Sequence, residues 1–316
     1  MFRQASVVSI LLCLAFATVS CTRADNSAMP ICAIDMGSNS FRRIAGSFDG
    51  QYRERSIEVR TLGVGDDVSR HGGISDGKMA EIEQTLSAFR TACEGEGART
   101  ILAIGTAAFR EAPNGPAVVA KARALGIQME IATEQRESEL AYLVGSLGDA
   151  NVAVIDNGSR SIELVAEADG AIRHHVFNLG YRVAFERYFA AAEDPAAAIA
   201  AFRTALAAEA AQAPFMTGRR KLVGIEFREM VDVLFGGGET EGRVLASEAL
   251  RRRLTEIEML DPGEFQRLKA TKDVDRALPR LVVAQFLVDT FGYAQLELTR
   301  RELGTGLIIE AGRRSS

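Results

Sequence analysis

The chain has 316 residues, 47% hydrophobic and 25% charged, the balance of a globular protein and not of a disordered tail or a multi-span membrane protein. Its 42 acidic residues outnumber 37 Lys and Arg for a net charge of −5, which argues against general nucleic-acid binding by phosphate neutralisation. Aromatics at 7% and the absence of Trp argue against stacking platforms for single strands, and at about 150 residues per domain the length predicts two domains.

Residues 1–21 read as a targeting segment. Arg3 precedes an uncharged, mostly apolar run over 5–20. That run is short for a spanning helix of about 20 residues and has the length of a secretory core. Two processing routes are open: cleavage after Ala17, or lipidation of Cys21, with Thr18 where a bacterial lipobox carries Leu. An uncleaved anchor is the plainer alternative. The expected location is the periplasm. Cys32 and Cys93 fall in apolar-periodic segments, so both a pair of buried thiols and a disulfide formed after export remain open. No C-x-x-C or His/Cys cluster suggests zinc.

The first predicted domain, 30–148, opens with an apolar strand over 31–35 that ends in Asp35. A turn over 36–40 leads to a strand over 41–48 and an extended stretch over 51–60. A helix is expected over 78–93 from Met79, Ile82, Leu86 and Phe89 on one face. A buried strand follows over 100–104, then a loop with a short helix ended by Gly115-Pro116. Next come a helix over 117–125, a strand over 127–131, and a helix over 134–147 capped by Thr133.

The second predicted domain, 149–316, restarts the pattern. A strand over 152–156 ends in Asp156, with a turn over 157–161 and a strand over 162–167. Asp35-x-Gly37-Ser38-x-Ser40 and Asp156-x-Gly158-Ser159-x-Ser161 match at an offset of 121 residues. That spacing means two similar domains, because solenoid periods are about 20–50 residues. Helices over 195–213, 246–258, 262–270 and 275–291 and a short strand over 221–225 complete a helix-rich tail. Strands alternating with helices make the class α/β.

A strand, an Asp and a Gly-Ser turn can carry chemistry. Glycine allows the left-handed geometry that aims successive N–H groups at one point, and such a nest holds phosphate oxygens. Ser38, Asn39 and Ser40 add donors, and an Asp at a strand end orients water or holds Mg²⁺. One such turn is an ordinary hairpin. Two of them facing across a cleft would clamp a phosphate chain or a nucleotide. Other features have plainer readings: Gly236-Gly237-Gly238 as a flexible linker, His174-His175 as strand neighbours on opposite faces, and Arg251-Arg252-Arg253 as a solvated helix face. Arg219-Arg220-Lys221 reads as a surface loop or the edge of an anion channel.

The stretches AIDMGSNSFRRIAG, GTAAFREAPNG, MEIATEQRESELA and VIDNGSRSIELV, from Ala33 on, resemble in order and spacing the motifs of the exopolyphosphatase/guanosine pentaphosphate phosphatase family, within the actin-like ATPase superfamily. The resemblance implies two actin-like (ribonuclease H-like) domains with a cleft between them. It implies an exported phosphohydrolase that releases terminal phosphate from polyphosphate or a related phosphoanhydride with Mg²⁺. A weakened anion- or nucleotide-binding protein on the same fold is the alternative.

By the same resemblance, Gly37, Ser38 and Asn39 form the first phosphate loop, and Gly158, Ser159 and Arg160 the second. Arg42 and Arg110 meet the anion, a task suited to a guanidinium fork. Glu137 activates water, and Asp156 and Glu163 are linked to Mg²⁺ and to the positioning of water. No nucleic-acid partner is expected. A lipid anchor at Cys21 and a homodimer stay open. The chain departs from the family at Ser159-Arg160, where it has Gly-Gly, and at Thr133-Glu134 and Arg136 in its S-G-x-E-E-A element. It departs again over Gly224–Arg228, where Glu226 would repel a polyanion, and at Gly304-Thr305-Gly306, set against its R-E-G.

Overall fold

The computed structural model describes residues 29–315; the predicted targeting segment 1–21, with Ala17 and Cys21, lies outside them. A meander of β1 (Ile31–Met36), β2 (Ser40–Phe48) and β3 (Tyr52–Thr61) comes first. It is followed by α1 (Val64–His71), α2 (Asp76–Gly95), β4 (Thr100–Gly105), α3 (Ala107–Glu111), α4 (Gly115–Ala124), β5 (Gln128–Ile131) and α5 (Glu134–Ser146). A second meander follows: β6 (Val152–Asn157), β7 (Ile162–Ala168) and β8 (Ala171–Phe177). Then α6 (Tyr181–Ala184) runs into a π-helical turn at Phe185–Phe189, and α7 (Pro195–Ala210), β9 (Lys221–Ile225), α8 (Arg228–Leu234) and β10 (Val244–Ala246) come after it. The chain ends with α9 (Ser247–Glu258), α10 (Pro262–Lys269), α11 (Val274–Thr290), β11 (Gln295–Thr299) and α12 (Leu303–Ser315).

The first sheet has the order β3-β2-β1-β4-β5, and the second repeats it as β8-β7-β6-β9-β11, with β10 added at the edge. In both, the meander is antiparallel and the next strand returns parallel to the first. The sequence duplication is therefore a duplication of topology, two actin-like lobes. β1 and β6 are buried nearly throughout, so they read as unbroken apolar runs. The edge strand β3 alternates half-buried and exposed residues, as one solvated face requires.

Local chemistry accounts for most boundaries. Ser75 caps α2 by accepting from Lys78 N, and Ile82, Leu86, Phe89 and Cys93 form its buried stripe. Thr133 caps α5 by accepting from Arg136 N. Cys32 and Cys93 form a disulfide that ties β1 to the last turn of α2.

Several expectations change. Gly115-Pro116 opens α4 instead of breaking a helix, since proline in a first turn gives up an N–H that has no partner there anyway. A β-carbon at Gly115 would stand 2.1 Å from the Phe109 carbonyl oxygen. Gly236, Gly237 and Gly238 all adopt positive φ, and the Arg243 guanidinium donates to the carbonyls of Phe235 and Gly237, so the triplet is a held turn and not a slack linker. The tail adds β10, β11 and α12 to the predicted helices.

The lobes meet through two helices lying between the sheets. α5 packs on β6, β7, β8 and β9, while α12 crosses back onto β1, β2 and β4 and packs against α5. Ile44, Leu140, Val144, Val154, Val165, Leu307 and Ile308 share this core. Glycine permits the close approach: a β-carbon at Gly145 would meet Val154 at 2.6 Å, and one at Gly306 would meet Leu140 at 2.9 Å. At its end the Arg136 guanidinium donates to both Glu310 oxygens at 2.7 Å, joining the first turn of α5 to α12.

Candidate active site

Each Asp-x-Gly-Ser turn leaves the end of a central strand and is held by the chain that follows the third strand of its meander. In the first turn Gly37 N donates to Ser40 O at 3.0 Å. Leu62 N and Gly63 N donate to Asn39 O, and Gly65 N donates to Ser38 O. In the second, Gly180 N donates to Arg160 O, Tyr181 N to Gly158 O and Arg182 N to Ser159 O. The carbonyls of Ser38, Asn39, Gly158, Ser159 and Arg160 are thus consumed by the buttress, a polarity that suits an anion better than a cation at these turns.

The expected left-handed glycines are absent, since neither Gly37 nor Gly158 has a positive φ. Their hydrogen atoms give room instead: a β-carbon would lie 3.2 Å from Ser40 O at Gly37 and 3.4 Å from Ser161 O at Gly158.

Both turns face one cavity of about 90 Å³. Of the predicted residues, Gly37, Ser38, Asn39, Arg42, Glu137, Asp156, Gly158, Ser159, Arg160 and Glu163 line it, and Arg110 does not. Asp35, Thr106, Tyr181, Glu226 and Glu302 line it as well. A wider groove of about 420 Å³ adjoins, sharing Ser38, Ser159 and Arg160. Arg160 reaches from the second lobe to Glu111 at 3.1 Å and to Ser69 Oγ at 3.4 Å in the first, and Arg182 reaches Asp66 at 2.6 Å. These contacts bridge the mouth of the cleft.

The carboxylates are held in unfavourable surroundings for their charge. Burial pushes Asp35 up to about 7, against the pull of Arg42. Burial and the nearby Glu137 push Glu163 up to about 8, although Ser161 Oγ donates to it at 2.5 Å. Burial and Glu163 raise Asp156 well above its ordinary range. Glu137 is raised by burial and drawn down by Arg110, whose guanidinium donates to the Glu137 carboxylate and to Ala132 O at 2.8 Å. Arg110 thus holds Glu137 instead of facing the cavity.

Arg42 is also occupied. Its Nη1 lies 2.7 Å from Glu226 and its Nε 2.9 Å from Glu302. Burial raises the Glu302 carboxyl, against Arg42. Behind Glu226, the fully buried Arg280 of α11 pairs with Glu226 at 3.0 Å and with Glu229, donates to Asn157 O at 3.3 Å, and stacks on Tyr181.

Sequence reasoning missed Arg280, Glu302 and the buttress. The buttress had a signal, Leu62-Gly63 and Leu179-Gly180, each following a third strand. Glu302, just before α12, lines the cavity, whereas Gly304 and Gly306 lie inside α12, packed against Ile44 and Leu140. Arg251 and Arg253 pair with Asp289 and Glu256 as a solvated face should, and Arg220 and Lys221 pair with Asp149 and Glu297 away from the cavity.

Asp156 and Glu163 suit a hard cation in donor chemistry, being adjacent carboxylates in register that burial and neighbouring acids raise against the lesser pull of Ser161 and Arg110 on Glu163. Among the described residues no group of three or more His, Cys, Asp or Glu is arranged to hold an ion. Two carboxylates would leave the other positions to water and substrate oxygens, the way Mg²⁺ is commonly held.

The sequence model described as the Ppx/GppA phosphatase family matches residues 54–222. A Ppx/GppA family member from Aquifex aeolicus is similar in structure, with a TM-score of 0.77 at 18% identity over 91% of this chain and 99% of that one. An exopolyphosphatase from Cytophaga hutchinsonii ATCC 33406 has a TM-score of 0.72 at 16% identity over 90% of this chain and 98% of that one. At such identities the likeness is one of fold. Among curated proteins none matches the chain in sequence.

Proposed function

The chain belongs to the Ppx/GppA phosphatase family, and from that premise we propose that it is an exported phosphohydrolase of the exopolyphosphatase type, releasing terminal phosphate from polyphosphate or a related phosphoanhydride with Mg²⁺. The observation that carries the reading is the meeting of Glu137, Asp156 and Glu163 with both Gly-Ser turns in one cavity. The turns and Arg160 receive phosphate oxygens. Glu137 takes a proton from water as the water oxygen bonds to the terminal phosphorus, and the bond to the bridging oxygen breaks. Burial raises the Glu137 carboxyl above its ordinary range, which strengthens it as a base, and Arg110 keeps its carboxylate oriented. Asp156 and Glu163 would hold Mg²⁺, which neutralises phosphate charge in such a transfer.

Export is supported by Arg3 with the apolar run behind it and by the Cys32–Cys93 disulfide, a bond that persists in oxidising compartments. Such a compartment favours polyphosphate over a nucleotide, because intracellular nucleotide pools are out of reach. The mass of the processed N-terminus separates cleavage after Ala17 from lipidation at Cys21, and an intact Met1 defeats export.

A second reading, an anion-binding protein with weakened catalysis, is favoured by one observation: Arg42 is already paired with Glu226 and Glu302. Phosphate release from polyphosphates of graded length, with and without Mg²⁺, decides between the two. Mg²⁺-dependent release supports the hydrolase, and binding without release supports the alternative.

A further inference from the structure

Glu226 follows directly on β9, and its backbone has φ +68, a left-handed conformation that a residue with a β-carbon keeps only where its surroundings impose it. The surroundings are two guanidinium groups. One Glu226 oxygen lies 2.7 Å from Nη1 of Arg42, and the other lies 3.0 Å from Nη2 of Arg280. Arg280 is fully buried and pinned by Glu229, so it fixes Glu226 from behind. Glu302 holds the Nε side of Arg42, leaving Nη1 as the group Glu226 occupies.

A guanidinium fork is the natural partner of a phosphate, and the same fork pairs equally with a carboxylate. Among the described residues, Arg42 and Arg160 are the basic side chains lining the cavity, against six carboxylates. A phosphate entering at the Arg42 end must displace a carboxylate that a buried arginine holds in place.

We propose that Glu226 is an internal counter-anion on Arg42, a specificity residue that keeps phosphate off the Arg42 end of the cleft. This rests on the reading that the cavity takes phosphate, and on nothing about hydrolysis. A substrate is then held by the two turns and by Arg160 once it leaves Glu111, and released orthophosphate finds the Arg42 fork already paired.

The test is titration calorimetry in EDTA, with tripolyphosphate and orthophosphate as probes and no turnover. Glu226→Gly suits the backbone conformation and should bind tripolyphosphate at least tenfold more tightly than the wild type. Glu226→Gln removes the charge but can still accept from Arg280, so it should gain less, and it decides the matter if the Gly variant does not fold. Adding Arg42→Met to either variant should return its affinity to the wild-type level. Unchanged or weaker binding in the variants overturns the inference, as does a gain that survives Arg42→Met. A wild type that releases no phosphate with Mg²⁺ defeats the hydrolase reading and leaves this comparison standing.

Discussion

The two lobes carry one turn on one topology, yet they differ at the residue facing the strand-end Asp. Across β1 and β2, Asp35 is opposite Arg42; at the equivalent place across β6 and β7, Asp156 is opposite Glu163. The duplicated backbone supplies an amide edge on both sides of the cleft. One side-chain position then gives the first lobe a cation beside its Asp and the second lobe a pair of acids. The consequence shows in the carboxyls: beside Asp35 the largest charge effect is the pull of Arg42 against the burial that still raises it to about 7, whereas beside Asp156 and Glu163 the largest charge effect is a neighbouring acid that adds to burial. On the proposed reading a symmetric scaffold divides the labour: turn amides and Arg160 would meet phosphate charge, and the acid pair of the second lobe would take the cation.

If the hydrolase reading holds, reactivity depends on the carboxylates, and their loss should be the largest effect. Glu137→Gln keeps the size of the side chain and removes the base, so phosphate release should fall about 10²–10⁴-fold, roughly 3–5 kcal/mol of barrier. Tripolyphosphate binding should stay within about twofold, because the turns are untouched. Full activity in this variant would move the chemistry elsewhere. Glu163→Gln should weaken the Mg²⁺ response by at least about 10–100-fold, the cost of disturbing even the groups that support a metal's ligands. An unchanged Mg²⁺ titration would break the contrast between the lobes.

The same contrast fixes a pH dependence. Glu163 is raised from 4.5 to about 8 and Asp35 from 3.8 to about 7. Between those limits the folded protein holds protons that the unfolded chain has released. Stability from these groups is therefore full below about pH 4 and lost as pH rises through 7 and 8. Metal-free protein should lose on the order of several kcal/mol between pH 5 and 9 in urea unfolding. Glu163→Gln should flatten that slope, and Mg²⁺ should restore stability at pH 8. A wild type that gains stability towards pH 9 would contradict the buried-acid account.

Much of this was legible in the sequence because it rests on local pattern. Apolar runs ending in Asp35 and Asp156, their repeat, and Thr133 before its helix need no tertiary information. What escaped was set by distant partners. α1, VGDDVSRH, buries Val64 and Val68 one turn apart, but two apolar side chains in eight residues between left-handed Gly63 and Gly72 are too few to announce a helix. α12 begins in glycines that disfavour a helix, and they are tolerated because close packing on Ile44 and Leu140 needs them. In the site, the types of Arg42 and Arg110 were readable and their engagement was not. Glu226 and Glu302 reach Arg42, and Glu137 reaches Arg110, from elements far along the chain.

The smallest expected effect probes the buttresses, which repeat in topology but differ in tightness. A β-carbon at Gly180 would lie 2.5 Å from the carbonyl carbon of Arg160 and 2.6 Å from both Arg160 N and Gly158 O, all backbone atoms. At Gly65 it would lie 3.0 Å from the Ser38 β-carbon and 3.4 Å from Ser38 O. Gly180 has φ −55, which alanine adopts freely, so the cost there is crowding and not conformation. Backbone cannot rotate aside as a side chain can. Gly180→Ala should therefore cost about 1–3 kcal/mol, the range for overpacking, and displace the second turn enough to weaken tripolyphosphate binding. Gly65→Ala should cost less than about 1 kcal/mol and leave binding nearly intact, because a contact of 3.0 Å to the Ser38 β-carbon asks the Ser38 backbone to give only a few tenths of an ångström. Thermal unfolding and calorimetry on the two variants measure both effects. Equal losses would mean that the two turns are held alike and that the lobes differ in charge alone.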